Sequence, residues 1–276
     1  MAEGDSGDQW VPADVNIELP SAARVYDYFL DGGHNFKVDR DFARRVIQTL
    51  PEAPMLARLN RKFLARATEY CVAAGIDQFL DVGCGLPTVG AVHEVAQRAN
   101  PEARVLYADN EPVAVMHCEQ LLRGNDKANV IQADLRWPAS VLDNPVTVQT
   151  LDLSRPVALL IVSVMHFIPD ADDPAAILAR YAALLPAGSM LVFSHVSADS
   201  LGSLDDAATV YEGNQNSGHP RPKAAIERML AGYDLVDPGL VFLPEWRPEA
   251  PVSAEEARRC SFYGAVGRVT GETPQR

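Results

Sequence analysis

A short apolar run that breaks into two glycines and then into a helical pattern constrains this chain more than any other feature: Phe79-Leu80-Asp81-Val82-Gly83-Cys84-Gly85-Leu86-Pro87-Thr88-Val89-Gly90. A buried parallel strand needs an unbroken apolar run, and glycines after it let the backbone turn sharply with nothing between it and a ligand. Free amides at the start of the next helix then face an anionic or strongly polar group. Asp109 closes the next apolar run, residues 103–108, where a doubly wound fold places a carboxylate for both ribose hydroxyls. A glycine pair after a strand also serves close helix packing; Asp109 tips the reading toward a nucleoside-containing cofactor. Counting from Gly83, Thr88 stands where a G-x-G-x-x-G turn has its last glycine, which disfavours a dinucleotide pyrophosphate. S-adenosylmethionine carries no phosphate, so its site needs a close backbone approach and a ribose acceptor but no phosphate cradle.

From Asp77 onward the chain alternates strand and helix, the pattern of a parallel sheet covered on both faces. Strands are expected at 78–82, 104–109, 130–133, 157–164 and 190–193. Helices are expected from 88 to 99, from Pro112, and from Asp173-Pro174 to about 185. Two late runs, 240–242 and 262–266, lack a crossover helix and are expected to pair antiparallel. The sum is an α/β, Rossmann-like, doubly wound and mostly parallel sheet of seven strands. Ahead of it, Pro20-Ser21 opens a helix with Ala22, Val25 and Phe29 on one face and Arg24, Asp27 and Asp31 on another, stopped by Gly32-Gly33. Helices at 39–50 and 54–74 follow. Sequence physics alone reads the charged face as solvated, with Arg24 and Asp27 an i,i+3 pair. The organisation expected is a mobile tail over 1–19, a helical lid segment over 20–76, and a cofactor-binding domain over 77–276. A polar, glycine-punctuated insertion falls near 197–222.

The balance of 37 acidic against 24 basic residues, net −13, includes no Lys/Arg block, so a nucleic-acid partner is not expected. Cys71, Cys84, Cys118 and Cys260 lie far apart, without zinc-site spacing, and read as free thiols of a cytoplasmic protein. No leader pattern and no membrane-spanning apolar run is seen. The oligomeric state has no legible signal.

Further stretches carry a family resemblance: Ala23-Arg24-Val25-Tyr26-Asp27-Tyr28 with Asn35-Phe36, Val105-Leu106-Tyr107-Ala108-Asp109-Asn110, Ala133-Asp134-Leu135-Arg136, His166-Phe167-Ile168-Pro169-Asp170 and Trp246-Arg247-Pro248. With the glycine turn, they resemble a class I S-adenosylmethionine-dependent methyltransferase, and more narrowly a bacterial S-adenosyl methyltransferase family formerly classed as a domain of unknown function. The resemblance spans about Ala22 to Arg268, and Pro87 is similar to that family's own turn. It implies that Gly83 and Gly85 let the backbone pass the methionine part of the cofactor, that Asp81 before them is a cofactor-binding residue, and that Asp109 holds the ribose. Asn110 would lie beside the adenine, Asp134 would accept from its amino group, Leu135 would cover the ring, and Ser163 would sit near the methionine portion. Arg24, Tyr26, Asp27 and Asn35 would belong to a lid over the cofactor. From the residues alone, Asp134 is alternatively a helix N-cap and Ser163 a plain strand residue.

A sulfonium already makes its methyl electrophilic, so the protein has to align a nucleophile, exclude water and accept a proton, and no metal is required. His166 and His195 follow strands four and five at the edge facing the cofactor. Each is either a general base or a histidine bonded to backbone. Tyr26 is a further candidate. Tyr211, His219 and Arg221 fall in the insertion, either toward substrate or as loop polarity, and His93 and His117 read as structural. The expected activity is methyl transfer to oxygen or nitrogen of a small molecule. The rivals are a nicotinamide oxidoreductase and a cofactor-binding regulatory or partner protein without turnover.

Overall fold

The computed structural model describes residues 18–88, 90–199 and 218–271. Residues 1–17 of the expected tail and 200–217 of the expected insertion, with Tyr211, lie outside the described residues. β1 (Gln78–Val82) is buried along its whole length and pairs in parallel with β2 (Arg104–Asp109) on one side and β4 (Ala158–Val162) on the other. β3 (Ala128–Gln132) continues the sheet beyond β2, and β5 (Met190–Val196) continues it beyond β4. The chain therefore winds outward in both directions from β1, and such a reversal opens a crevice at the carboxyl ends of the strands. β8 (Phe262–Val269) runs antiparallel to β5. Its outer edge takes β6 (Tyr233–Leu235) at one end and β7 (Val241–Phe242) at the other, both antiparallel. The two late apolar runs pair as expected. The sheet has eight strands and not seven because β6 is added, three residues being too few to carry a readable period.

Successive strand residues point to opposite faces, and the two cores divide accordingly. Phe79, Val105, Leu160 and Val192 join Phe63, Leu64, Ala67 and Cys71 of a long helix, α3 (Ala53–Ala73). Leu80, Leu106, Ile161 and Phe193 join Ile177, Leu178 and Tyr181 of the helix Pro174–Leu184, whose N-cap is Asp173, its side chain accepting from Ala176 N. The long helix thus forms part of the layer covering the sheet. α1 (Ala22–Phe29) and α2 (Lys37–Thr49) join it in lining the crevice.

How α1 is held corrects the expectation of a solvated charged face. Arg24 and Asp27 are each 1% exposed, and they do not pair with each other. Arg24 Nε lies 2.7 Å from Asp39 Oδ2, Nη1 lies 3.4 Å from Glu111 Oε1 beyond β2, and Nη2 donates to the Leu19 carbonyl at 2.7 Å. Ser21, the N-cap of α1, donates to Glu111 Oε2 at 2.5 Å. Asp27 accepts from His34 N at 2.8 Å, Asn35 Nδ2 at 3.0 Å and Thr88 Oγ1 at 2.9 Å. Helical spacing shows which residues share a face, whereas what covers that face is decided by tertiary packing. Here it is covered by α2, the loop before it and the glycine turn, so each charge has a partner. Removing one member of a buried pair leaves the other uncompensated. Arg24→Met strands the fully buried Asp39 and is expected to cost about 3–5 kcal/mol in denaturant unfolding. Arg58→Met, which breaks the exposed pair with Asp31, is expected to leave stability nearly unchanged. Equal losses would contradict the clamp.

Candidate functional site

Beneath α1, at the carboxyl ends of β1, β2 and β4, lies a cavity of about 390 Å³. Its floor is the glycine turn. Gly83 has φ 75°, and a Cβ there would run into Val164, while Gly85 has φ 58° and a Cβ there would meet Ala23 Cβ of α1 at 3.6 Å. Gly83 thus has no room for a side chain, Gly85 is in ordinary contact with the helix above, and the left-handed backbone at both positions favours glycine.

Two carboxylates flank the turn. Asp109, at the end of β2, accepts from Gly85 N at 2.8 Å through Oδ2 and from Glu111 N at 2.9 Å through Oδ1. Burial raises its pKa against the pull of these backbone amides, and each oxygen keeps a lone pair for a ligand. Asp81, at 6% exposure, accepts no hydrogen bond among the described residues and faces the cavity. Burial pushes it up to about 7; Arg61 opposes that rise and Asp109 adds to it. A buried carboxylate without a partner is costly, and a cationic ligand group relieves it.

At the β3 end the cavity is walled by Ala133, Asp134, Leu135 and Arg136. Asp134 caps no helix: it accepts from Arg136 N at 2.9 Å and Arg136 Nη2 at 2.6 Å, and the next helix begins only at Pro138. Partial burial raises its pKa, but the Arg136 hydrogen bonds outweigh that and hold the carboxyl below its usual range. Arg136 also reaches Asp172 at 3.2 Å, across to the β4 side. Ser163, in the left-handed region at φ 58°, donates its N–H to Ser194 Oγ at 2.9 Å and lines the cavity, as does the exposed Asn110.

The candidates for catalysis separate by their partners. His195 is fully buried, with Nδ1 donating to the Val196 carbonyl at 2.7 Å and Nε2 accepting from Arg221 Nη1 at 2.9 Å. Both nitrogens are occupied, and burial lowers its pKa to about 4. The Tyr26 hydroxyl donates to the Ala57 carbonyl at 3.2 Å and accepts from Asn60 Nδ2 at 2.9 Å; burial raises its pKa against the Arg61 charge. His166 lines the cavity at 7% exposure, and its Nδ1 has no partner among the described residues. Burial first, then the neighbouring His195 and Arg221, hold it well below its usual pKa, so its imidazole is neutral.

Arg221 does not line the cavity. It bolts the segment after β4 to β5 through Asp170, the Ile168 carbonyl and His195, whereas His219 is in the wall. His93 bonds Tyr107 Oη, and the His117 ring packs at a tilt against His34 with centroids 4.0 Å apart. Cys84 and Cys118, far apart in the chain, meet as free thiols with sulfurs 3.8 Å apart. Two wall or support residues carry no sequence signal, because both sit within the regular pattern of α3: Asn60, 2% exposed and linking Tyr26 to Ser194, and Arg61. Among the described residues no group of three or more His, Cys, Asp or Glu is placed to hold a metal ion, and no helix is long and apolar enough to cross a membrane.

The profile of the family described as S-adenosyl methyltransferase matches residues 8–270. A Thermobifida fusca YX crystal structure provisionally described as a methyltransferase is 34% identical, covers 95% of this chain and all of its own, and superposes with a TM-score of 0.90. A DUF574 family protein from Streptomyces avermitilis MA-4680 is 35% identical over 91% of this chain and 98% of its own, with a TM-score of 0.86. An O-methyltransferase family protein from Burkholderia thailandensis, at 13% identity, covers 92% of this chain and 65% of its own with a TM-score of 0.53, a likeness of fold alone. Among curated proteins none is significantly similar in sequence.

The unpartnered Asp81 gives this cavity a pH signature. S-adenosylhomocysteine, whose amino group is cationic, is expected to bind more tightly as pH rises from about 5.5 to about 7, where Asp81 ionises, by at most about tenfold per pH unit. Asp81→Asn is expected to flatten that dependence in calorimetric titration. A wild-type affinity that stays level or falls over this range would put Asp81 out of the ligand's reach.

Proposed function

The chain belongs to the S-adenosyl methyltransferase family and is an S-adenosylmethionine-dependent methyltransferase, and from that premise we propose that it methylates an oxygen or nitrogen of a small-molecule acceptor. The observation that carries the assignment of the site is the pair of buried carboxylates, Asp81 and Asp109, on either side of a glycine turn whose sequence lacks the last glycine of a dinucleotide-binding loop. These residues fit the cofactor: Asp109 has lone pairs for the ribose diol, and the unpartnered Asp81 takes the ammonium. Asn110 and Leu135 border the adenine, Asp134 accepts from its amino group on the lone pairs Arg136 leaves, and Ser163 stands at the methionine portion. Arg24, Asp27 and Asn35 act indirectly, by locking α1 onto the turn.

When bound, S-adenosylmethionine supplies an electrophilic methyl on a sulfonium. The chain's own part is to exclude water, align the acceptor and take up a proton. Val25, Phe29, Val46 and Leu56 give the cavity an apolar wall under α1 and α2, which keeps bulk water out. His166 is the proton acceptor, since it alone of the three candidates combines a cavity position with a neutral, incompletely bonded imidazole. His195 and Tyr26 hold the wall. The enclosure and the acidic charge favour a small acceptor over a nucleic acid.

The test is transfer of labelled methyl from S-adenosylmethionine to a panel of phenols, carboxylic acids and amines. Transfer to one class is expected, and His166→Ala is expected to lower turnover by about 10²–10⁴-fold while leaving S-adenosylhomocysteine affinity within about twofold. Unchanged turnover in His166→Ala would remove that residue from the chemistry. Tight cofactor binding with no transfer across the panel would favour a regulatory protein.

A further inference from the structure

His166 is set in place from outside the cavity. It lies in a short turn of 3₁₀ helix, Met165–Phe167, just after β4. The guanidinium of Arg221, 6% exposed, reaches the backbone on both sides of it: Nη1 donates to the Met165 carbonyl at 3.4 Å and Nη2 to the Ile168 carbonyl at 2.7 Å. The His166 carbonyl itself accepts from His219 N at 2.7 Å, just ahead of Arg221. Arg221 is in turn tied to the end of β5, its N–H donating to the Val196 carbonyl at 3.2 Å and its carbonyl accepting from Ala198 N at 2.9 Å. Its Nη1 also meets His195 Nε2 at 2.9 Å. A guanidinium only donates, so Nε2 is the acceptor and the one ring proton of His195 sits on Nδ1, where the Val196 carbonyl receives it at 2.7 Å. The His195 and His166 rings stand edge to face with centroids 5.8 Å apart. An apolar residue at 221 would pack here without a desolvation cost. A buried arginine adds two things that such a residue lacks: a rigid fork that fixes carbonyls at set places, and a permanent positive charge beside two imidazoles.

We propose that Arg221 is a positioning residue for methyl transfer: without touching cofactor or acceptor, it holds His166 by the backbone on either side and fixes the tautomer of the His195 ring that faces it. The inference rests on the reading of His166 as proton acceptor. The charges set against His166 are those of Arg221 and, when protonated, of His195 from β5 and His219 from the segment before Arg221. β8 presents Phe262, and on the segment of His166 itself Asp170 is engaged by Arg221. Burial, then His195, then Arg221 keep the His166 imidazole neutral. Without the guanidinium a like charge no longer opposes protonation, so the pair formed by His166 and His195 takes up a proton at higher pH.

Nuclear magnetic resonance of the full chain, labelled with nitrogen-15 in histidine and saturated with S-adenosylhomocysteine, reads both effects, with His166→Ala and His195→Ala assigning the signals. In the wild type, His195 is expected as one tautomer protonated at Nδ1, and His166 as neutral at pH 6.5, the ordinary histidine midpoint. In Arg221→Gln the pair is expected to protonate at a pH higher by roughly one unit, and His195 to lose its single tautomer. Labelled methyl transfer to the panel of phenols, carboxylic acids and amines is expected to fall roughly tenfold to a hundredfold in kcat, with S-adenosylhomocysteine affinity within about twofold. A fall in turnover with midpoint and tautomer unmoved would make Arg221 a structural brace only and overturn the proposal. Should Arg221→Gln not fold, the wild type decides: His195 protonated at Nε2, or His166 half-protonated at pH 6.5, would overturn it. Transfer by the wild type that Arg221→Gln leaves unchanged would sink this role alone, whereas no transfer by the wild type across the panel would sink the proposed reaction and this role with it.

Discussion

Asp27 is the joint on which the site depends. Its carboxylate, enclosed on α1, receives Asn35 and the His34 amide from the segment after the helix and Thr88 from the end of the glycine turn. One side chain thereby ties the roof of the cavity to its floor. Arg24 repeats the device a turn earlier, joining α1 to Asp39 on α2 and to Glu111 beyond β2. Neither charge reaches water, so neither tolerates loss of its partners, and the roof is set at a defined height over Gly85. Close packing of Ala23 on Gly85 follows from that height.

The same economy of partners separates structure from chemistry within the cavity. Several charged and polar groups that build the fold are satisfied: Arg221 by carbonyls, Asp170 and His195; His195 by Val196 and Arg221; Asp134 by Arg136. Among the described residues that line the cavity, Asp81, the Arg61 Nε and the His166 Nδ1 have no hydrogen-bond partner, as the Tyr181 hydroxyl and the Trp246 Nε1 have none in the core. A buried polar group without a partner is destabilising and persists where a ligand completes it.

Much of this was legible in the sequence, for a physical reason. A parallel strand buried on both faces reads as an unbroken apolar run, so β1, β2, β4 and β5 announce themselves, and with them the positions of Gly83, Gly85 and Asp109 at strand ends. The caps at Ser21 and Asp173 were equally local. What stayed hidden depends on distant partners. Glu111 meets Arg24 across 87 residues, so a helix face that looks solvated is buried. Arg61 sits in an ordinary amphipathic pattern, and only the cavity gives it meaning. The helix expected from Thr88 begins at Val92, after the left-handed Gly90 and the extended N-cap Ala91. His166 and His195 look alike at the ends of β4 and β5, and the hydrogen bond from Arg221 to His195 is what divides them.

The central claim is that this cavity is completed by S-adenosylmethionine and not by a dinucleotide. Titration calorimetry of the intact chain with S-adenosylmethionine, S-adenosylhomocysteine and NAD in parallel tests it most directly. Saturable binding of both adenosyl compounds at one site per chain, with no heat from NAD, is the predicted result. Binding of NAD alone would contradict the account.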